Sequence, residues 1–290
     1  TDIFWHDIVN KNYCFGNAAG ESIVATEGLG NVLIGDAAGT DITTGDYNVA
    51  VGTDALITCT TGSYNVAIGH NALKLNNADS NTALGYNALA DCIGTSNLAM
   101  GSQAAGNTTT GAYNVAIGAA ALLLNTSGDY NVAIGNDALG DVATTDKNTA
   151  IGASAGGLCT GAGNVFIGYA AGGQAVAVSD KLYIHNTNAV SPLIYGDFSV
   201  GNVNFPLTPA FLVFLSAIQS NVTGDNHPYN IPFDTEVFDQ GGDYASPNFT
   251  APVDGRYLLV AVVRVKDMSG TFQNLKFVTS NREYTGATQG

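Results

Sequence analysis

Charge is scarce in this chain of 290 residues, and basic charge is the scarcest. Only 11% of the residues are charged, and nine Lys and Arg stand against 24 Asp and Glu, for a net charge of −15. Nucleic acids and anionic membrane surfaces are bound through clusters of basic residues. The composition therefore argues against both kinds of partner and is typical of a soluble, colloidally stable surface.

Cysteines and long apolar runs are also few. Four cysteines are too few for a disulfide scaffold, and no apolar run reaches the roughly 18 residues of a membrane span. The histidines (His6, His70, His185 and His227) lack metal-ligand spacing, and the Gly-rich stretches lack the Lys-Ser/Thr ending of a phosphate loop. We therefore expect no enzymatic activity and no cofactor. Because the chain opens at Thr1 rather than Met, we expect a mature or partial product.

What the chain has in abundance is an internal repeat. The pentapeptide Asn-Val-Ala-Ile-Gly and its variants recur every 16 or 17 residues, and a degenerate copy begins at Asn12. Ten units thereby occupy residues 12–178, after an N-terminal segment of residues 1–11. We number each unit from its asparagine, which is position 0. The asparagines of the nine clear copies are Asn31, Asn48, Asn65, Asn81, Asn97, Asn114, Asn131, Asn148 and Asn164.

Residue types within a unit alternate with a period of two, which predicts a strand. Positions 1 and 3 are mostly Val and Ile, position 2 is mostly Ala, position 4 is Gly and position 7 is Ala. A unit of this length fits one coil of a parallel β-solenoid, with two short strands and two turns, in which equal positions stack about 4.8 Å apart. The asparagines then form an amide ladder, with Tyr47 on Tyr64 and Tyr113 on Tyr130 beside it. A glycine three residues before the next asparagine, as at Gly45, marks a turn that needs a permissive backbone.

The two faces of the strand differ in the size of their side chains, and we expect the face with the larger side chains to fill the interior. The predicted core comprises Val49, Val51, Val66, Ile68, Val115, Ile117, Val132 and Ile134. The alanines of positions 2 and 7 then remain outside as a smooth apolar stripe, and such a patch usually meets a partner. We therefore expect the chain to associate with itself through these alanines, like coil against like coil.

Three cysteines, Cys59, Cys92 and Cys159, share position 11 of their units. Cys59 and Cys92 are two coils apart, about 10 Å by the coil spacing, which exceeds the reach of a disulfide. Buried free thiols are therefore the favoured interpretation, and bridges between sister chains are the alternative.

The Asn-Val-Ala-Ile-Gly run, with an alanine shortly after its glycine, resembles the head repeats of YadA-like trimeric autotransporter adhesins and the related repeats of phage tail fibres. The resemblance covers about 165 residues. It implies a homotrimer of left-handed parallel β-rolls, with an enlarged outer loop because the adhesin repeat is usually shorter. Residues 179–206, punctuated by Pro192, Gly196 and Gly201, look like the neck that follows such repeats in fibre-like proteins.

Residues 207–290 change in character and resemble part of a C1q-like jelly roll, the trimeric head of the C1q and tumour-necrosis-factor superfamily. The resemblance rests on the runs Ile-Pro-Phe-Asp at 231–234, Asn-Phe-Thr-Ala-Pro at 248–252 and Gly-Arg-Tyr at 255–257. The final strands of such a domain are not recognisable, so either the sequence stops early or another chain completes the sheet by strand addition. The candidate donor is the N-terminal segment, with Ile3, Phe4, Trp5, Ile8 and Val9.

Carboxylates are candidates for calcium, which prefers oxygen ligands. The repeat acids that a trimer presents in three copies are Asp36, Asp46, Asp54, Asp129 and Asp137. Because the calcium nonapeptide of secreted β-rolls is absent, solvated surface acids are the favoured interpretation for them. Weak calcium candidates near the axis of a C1q-like head, as that resemblance implies, are Asp234, Asp239 and Asp243.

These expectations describe a non-enzymatic, fibrous, extracellular protein of a cell surface or virion. A rigid trimeric stalk would present a receptor-binding head to a glycan or a protein. The alternative is a subunit of an extracellular filament, joined end to end by donation of the N-terminal strand. A third interpretation is a solenoid that binds ice or cleaves polysaccharide. Ice binding needs a flat row of threonines, which residues 43–44, 60–61 and 108–110 only approach.

Overall fold

The computed structural model describes residues 4–7, 10–24, 27–175, 177–189 and 191–204, and six short strands beyond them. The chain divides into two compact units, Thr1–Leu207 and Thr208–Gly290. Every regular element in the described residues is a strand, and none is a helix. The fold of the described chain is therefore all-β.

The first unit contains fourteen strands, which stack in sequence order as one sheet. Their bounds are β1 Phe4–Asp7, β2 Asn12–Phe15, β3 Val32–Ile34, β4 Val49–Val51, β5 Val66–Ile68, β6 Thr82–Leu84, β7 Leu98–Met100, β8 Val115–Ile117, β9 Val132–Ile134, β10 Thr149–Ile151, β11 Val165–Ile167, β12 Lys181–Ile184, β13 Ile194–Asp197 and β14 Asn202–Asn204. Neighbours from β2 to β12 pair in parallel. β1 pairs antiparallel with β2 at one end, and β13 and β14 continue antiparallel at the other.

The register of the parallel strands follows the repeat. Ala50 pairs with Ala67 and Val51 with Ile68, so each position stacks on the same position of the next coil. The register is kept after a 16-residue unit as well, because the difference in length falls in the turn before the next asparagine. The predicted parallel solenoid of about ten coils is confirmed. β12, in the segment predicted as a neck, adds one more parallel rung.

Each coil has one strand instead of the two that its length predicted. Opposite the strand, positions 6 and 8 lie in the left-handed region in all ten coils, as at Asn71 (φ 58°) and Leu73 (φ 51°). Alternating left-handed residues turn the chain where an extended strand was expected. The coils remain bonded to one another on this side, since Leu73 N–H donates to the carbonyl of Ala88 at 3.0 Å.

The prediction of which face lies inside is wrong. The alanines of positions 2 and 7, such as Ala67 and Ala72, are fully buried. The predicted core residues instead lie partly exposed on the outer surface: Val49, Val51, Val66, Ile68, Val115, Ile117, Val132 and Ile134. Two rows of alanine together with one row of larger side chains already fill the narrow coil, so no space remains for rows of Val and Ile.

Most coils hold one large side chain, at position 2 or at position 8. Ala67 at position 2 accompanies Leu73 at position 8, and both are fully buried. Where position 2 is larger, position 8 is glycine: the pairs are Cys14 with Gly20, Leu33 with Gly39 and Phe166 with Gly172. A Cβ on Gly39 would lie 2.8 Å from Leu33 Cδ2. The two positions therefore share a fixed volume.

This shared volume predicts a compensating pair of substitutions. Leu33→Ala should lower the free energy of unfolding by about 2–5 kcal/mol, because it leaves a cavity. Adding Gly39→Leu should restore part of that loss, since it recreates the Ala67–Leu73 arrangement at a left-handed cost of about 1–2 kcal/mol. The side chain of Ile42, whose Cδ1 would lie 2.8 Å from the new Cβ, has to move as well. Urea unfolding followed by circular dichroism measures both. A double variant less stable than Leu33→Ala alone would contradict the shared volume.

All four cysteines are buried and free, which confirms the favoured interpretation of Cys59, Cys92 and Cys159; the fourth is Cys14 at position 2. Burial raises the pKa of Cys14 to about 12 and the pKa values of Cys59 and Cys92 to about 11. The physical cause is the hydration that a thiolate would lose in the interior.

These raised thiol pKa values predict slow chemical labelling. We expect the folded protein to react with a maleimide at pH 7 at least about 100-fold more slowly than the urea-unfolded chain, because the thiolate is the reacting species. Mass spectrometry over time measures the rate. A disulfide-linked dimer on a non-reducing gel, or rapid labelling of the folded chain, would instead favour bridges between sister chains.

The second unit is described through six strands that form three antiparallel pairs. They are β15 Phe211–Phe214 with β16 Thr235–Asp239, β17 Tyr244–Ala245 with β18 Asn248–Phe249, and β19 Lys276–Val278 with β20 Glu283–Thr285. Of the calcium candidates, Asp239 ends β16, while Asp234 and Asp243 lie outside the described residues.

Candidate interaction surface

A buried asparagine ladder sets the orientation of every strand in the solenoid. In each step Oδ1 of one asparagine accepts the backbone N–H of the asparagine in the next coil, at 2.8–3.0 Å. Asn48 Nδ2 also donates to the carbonyl of Gly62 in the following turn, at 2.9 Å. All nine predicted ladder asparagines stand in this row, and Asn12 begins it. Because the ladder repeats, positions 1 and 3 face outward in every coil.

The glycines before the ladder have a different role from the predicted one. Gly45, Gly62, Gly111 and Gly128 do not lie in the left-handed region. A Cβ on Gly62 would instead lie 2.6 Å from the carbonyl oxygen of Ala78 in the next coil. Glycine is required there by the close approach of two turns.

The outward face consists of the residues at positions 1 and 3 of the ten coils. Its position-1 residues are Tyr13, Val32, Val49, Val66, Thr82, Leu98, Val115, Val132, Thr149 and Val165. Its position-3 residues are Phe15, Ile34, Val51, Ile68, Leu84, Met100, Ile117, Ile134, Ile151 and Ile167. Only the two threonines interrupt an otherwise apolar surface, and Ile68 and Ile134 are 38% and 36% exposed.

Stacked tyrosines flank the outward face at position −1 in four of the ten coils; the other residues of this row are Lys11, Gly30, Ser80, Ser96, Lys147 and Gly163. The rings of Tyr47 and Tyr64 are stacked with centroids 5.4 Å apart, and those of Tyr113 and Tyr130 are 5.0 Å apart, as predicted. Ten coils give a length of about 48 Å, and positions 1 to 3 a width of about 7 Å. The resulting area of about 300 Å² is comparable to the largest apolar patch on many monomeric proteins, and such a patch often has a binding role.

Three of the repeat acids, Asp36, Asp46 and Asp129, accept hydrogen bonds from an adjacent coil. Asp46 Oδ1 accepts the N–H of Leu29 at 2.7 Å, and Asp129 Oδ1 accepts that of Ala112 at 2.7 Å. Asp36 Oδ1 accepts from Asn17 Nδ2 at 3.0 Å. Within the described part of the chain no three His, Cys, Asp or Glu side chains come together as a metal site. In the single chain, Asp46 and Asp129 therefore act as a second ladder between coils.

Antiparallel strands cover both ends of the parallel stack. At the N-terminal end Phe4 pairs with Phe15 and Trp5 with Cys14, so the middle of the predicted donor segment has a partner in its own chain. Ile3, Ile8 and Val9 lie outside the described residues. At the C-terminal end Lys181 Nζ lies 2.9 Å from Asp197 Oδ2, which joins β12 to β13.

The threonine rows are used within the solenoid. Thr43 Oγ1 donates to the carbonyl of Thr60 at 3.0 Å, and Thr109 Oγ1 to that of Thr126 at 2.8 Å. Thr126 Oγ1 in turn donates to the carbonyl of Ala143 at 2.9 Å. These hydroxyl groups bond coil to coil on the turn side.

The outward face was missed as an interaction surface because its residues were assigned to the core. The signal that identifies it is the pairing of a large position 2 with glycine at position 8, which fixes the interior without Val and Ile. None of the described residues forms a helix with the length and hydropathy of a membrane crossing. Comparison with protein-family models, curated proteins and solved structures found no match.

Proposed function

We propose that this protein is a non-enzymatic homotrimeric stalk of an extracellular fibre or adhesin, in which three solenoids stand in parallel and cover one another's outward faces. The single observation that supports this most is the continuity of that apolar face over all ten coils. Removing apolar surface from water contributes about 25 cal/mol per Å². Covering this face therefore favours association.

The arrangement of the face favours parallel chains in register. Equal positions recur on every coil, so a partner shifted by one coil meets almost the same surface, whereas the two threonines, Thr82 and Thr149, break this equivalence. In register, the threonine hydroxyls of neighbouring chains can hydrogen-bond to one another. In a shifted arrangement each hydroxyl would be buried against an apolar side chain without a partner, which is unfavourable. The number of chains, three, is taken from the resemblance of the repeats to YadA-like heads.

The second part of the proposal is that the stalk presents residues 207–290 as a C1q-like receptor-binding head. Three copies of a weak site on one trimer raise avidity without any new contact. A surface glycan or a protein is the expected receptor, and the calcium candidates Asp234, Asp239 and Asp243 belong to this part.

Light scattering coupled to size exclusion tests the oligomeric state. We expect a mass three times the 29.7 kDa of one chain, independent of concentration over the micromolar range. The mass of one chain would overturn the proposal. The mass of two chains would support association through the outward face but contradict a trimer. A glycan array probed with the same sample tests for a carbohydrate receptor.

End-to-end filaments are the second candidate, and the position of β1 favours them. This strand lies at the edge of the sheet and pairs on one side only. If it left its own first coil it would expose a parallel edge for the next subunit. Electron micrographs of purified protein distinguish the two, because discrete short particles exclude filaments.

A further inference from the structure

A small hollow lies on the turn side of the solenoid, away from the outward face. Position 9 of successive coils carries Lys74, Ala90, Gly106 and Leu123, so two small residues stand between two long ones. The gap has a volume of about 180 Å³ and is partly open to solvent. We call it the notch. Its size matches one ring-shaped small molecule rather than a polymer.

The notch is lined by polar groups whose hydrogen-bonding capacity is unused. Asn71 and Asn87, which occupy position 6 of adjacent coils, both border it. Their Oδ1 atoms are two of the three buried side-chain N and O atoms without a partner in the described part of the chain. Leaving such an atom unpaired is unfavourable. Because both Oδ1 atoms are buried, a molecule in the notch reaches them only when the side-chain amide rotates about its broad terminal torsion.

The charges beside the notch balance. Lys74 and Asp91 both border it, and within the described residues the only ion pair is the one between Lys181 and Asp197. Lys74 and Asp91 therefore keep their donors and acceptors for a ligand. The notch has one charge of each sign in a chain of net charge −15. An anionic ligand would therefore gain little electrostatic attraction there, and a cationic ligand would be repelled by Lys74.

An exposed aromatic pair directly precedes the two amides. His70 comes before Asn71 and Tyr86 before Asn87, and the rings are stacked with centroids 5.7 Å apart. Tyr86 is 52% exposed. The two rings do not line the notch themselves, but each directly precedes an amide that does. Amides and one charge of each sign in the notch, with an exposed ring adjoining it in the chain, suit a molecule with both hydroxyl groups and an apolar face.

We propose that the notch binds one neutral sugar residue of a glycan, with hydroxyl groups bonded to Asn71, Asn87 and Asp91. The ligand supplies the donors that the amide oxygens lack and accepts from Lys74. This site lies in the solenoid, so it is independent of the proposed receptor-binding head.

A side chain at Gly106 would occupy the notch with only a small local adjustment of the backbone. Gly106 is not in the left-handed region, and a Cβ there would lie 3.3 Å from Gln103 O, its nearest neighbour. Gly106→Leu therefore places at position 9 the residue that the next coil already has in Leu123. The matched control is Gly157→Leu, at position 9 of a distant coil, where the nearest atom to a Cβ, Ser154 O, is 3.5 Å away.

Saturation-transfer NMR on the full chain, with the methyl glycosides of glucose, galactose and N-acetylglucosamine and with sialic acid as the anionic comparison, tests the proposal. We expect one neutral glycoside to bind with a Kd on the order of 1 mM, and Gly106→Leu to weaken it at least about 10-fold while Gly157→Leu does not. Equal binding by both variants, or no binding of any neutral sugar by the wild type, would overturn the site.

A second pair of variants tests the aromatic contribution separately. Tyr86→Ala should weaken the same glycoside by about 3–10-fold, and Tyr169→Ala, at position 5 of the last coil, should leave it unchanged. Light scattering on each sample reports the oligomeric state. A wild-type protein that has the mass of a trimer but binds no neutral sugar would contradict the notch site alone. A wild-type protein that binds the sugar but has the mass of one chain would contradict the proposed trimeric stalk alone.

Discussion

Lysine in place of both Ile68 and Ile134 is expected to convert the proposed trimer into single folded chains of 29.7 kDa. Both isoleucines are already more than one third exposed in the single chain, so the substitution leaves the interior of the coil intact. In a trimer it places six ammonium groups into an apolar contact without carboxylate partners, and each unpaired charge carries a large desolvation penalty. The association constant should fall by a factor on the order of 1,000 or more.

Leu75→Lys is the matched control for the outward face. Leu75 is 44% exposed, as apolar as the isoleucines, but lies at position 10 on another side of the coil. Sedimentation equilibrium should give the wild-type mass for Leu75→Lys and the mass of one chain for the double variant, with the same far-ultraviolet circular dichroism for both. A double variant that keeps the wild-type mass would place the interface elsewhere.

The positions and register of the strands could be predicted from the sequence because equal positions of successive coils stack on one another. The side chain of each asparagine accepts a hydrogen bond from the backbone of the asparagine in the next coil. The spacing of the asparagines in the sequence therefore equals the number of residues in one coil. The tyrosine stacks follow from the same register, since Tyr47 and Tyr64 each precede a ladder asparagine. A period of 16 or 17 residues therefore predicts the fold without any knowledge of side-chain packing.

The direction of the faces was not predicted correctly because residue size alone was used to choose the interior. Larger apolar residues are buried more often than small ones, but the interior of a coil this narrow has little volume for side chains. Leu33 opposite Gly39 and Phe166 opposite Gly172 show that one large residue uses most of the space. That covariation is visible in the sequence, and it contradicts a core of Val and Ile.

The turns and the notch were beyond sequence reasoning for a different reason. Leu73 and Leu89 adopt left-handed φ values of 51° and 49°, which cost such residues about 1–2 kcal/mol in isolation. Burial of the leucine inside the coil outweighs that cost, so local propensity predicts the wrong conformation. The notch depends on where this turn places position 9 of several coils, and no single motif encodes it.

Gly85→Ala is expected to lower the free energy of unfolding by at least about 4 kcal/mol, one of the largest effects open to a single methyl group. Gly85 has a φ of +139°, which residues with a side chain rarely adopt. A Cβ there would lie 2.5 Å from the carbonyl oxygen and 2.7 Å from the carbonyl carbon of Gly101. Both are backbone atoms of the next coil, which cannot move without breaking the stack.

Gly157→Ala and Gly62→Ala separate the two causes of this loss. Gly157 has neither a left-handed φ nor a close neighbour, so alanine should leave stability unchanged or raise it by up to about 1 kcal/mol. Gly62 has the close approach to Ala78 without the unusual φ, so its loss should be intermediate. Urea unfolding measures the three variants side by side. Because coils in a repeat protein are stabilised mainly by their neighbours, a tolerated Gly85→Ala would mean that adjacent coils are not packed backbone against backbone.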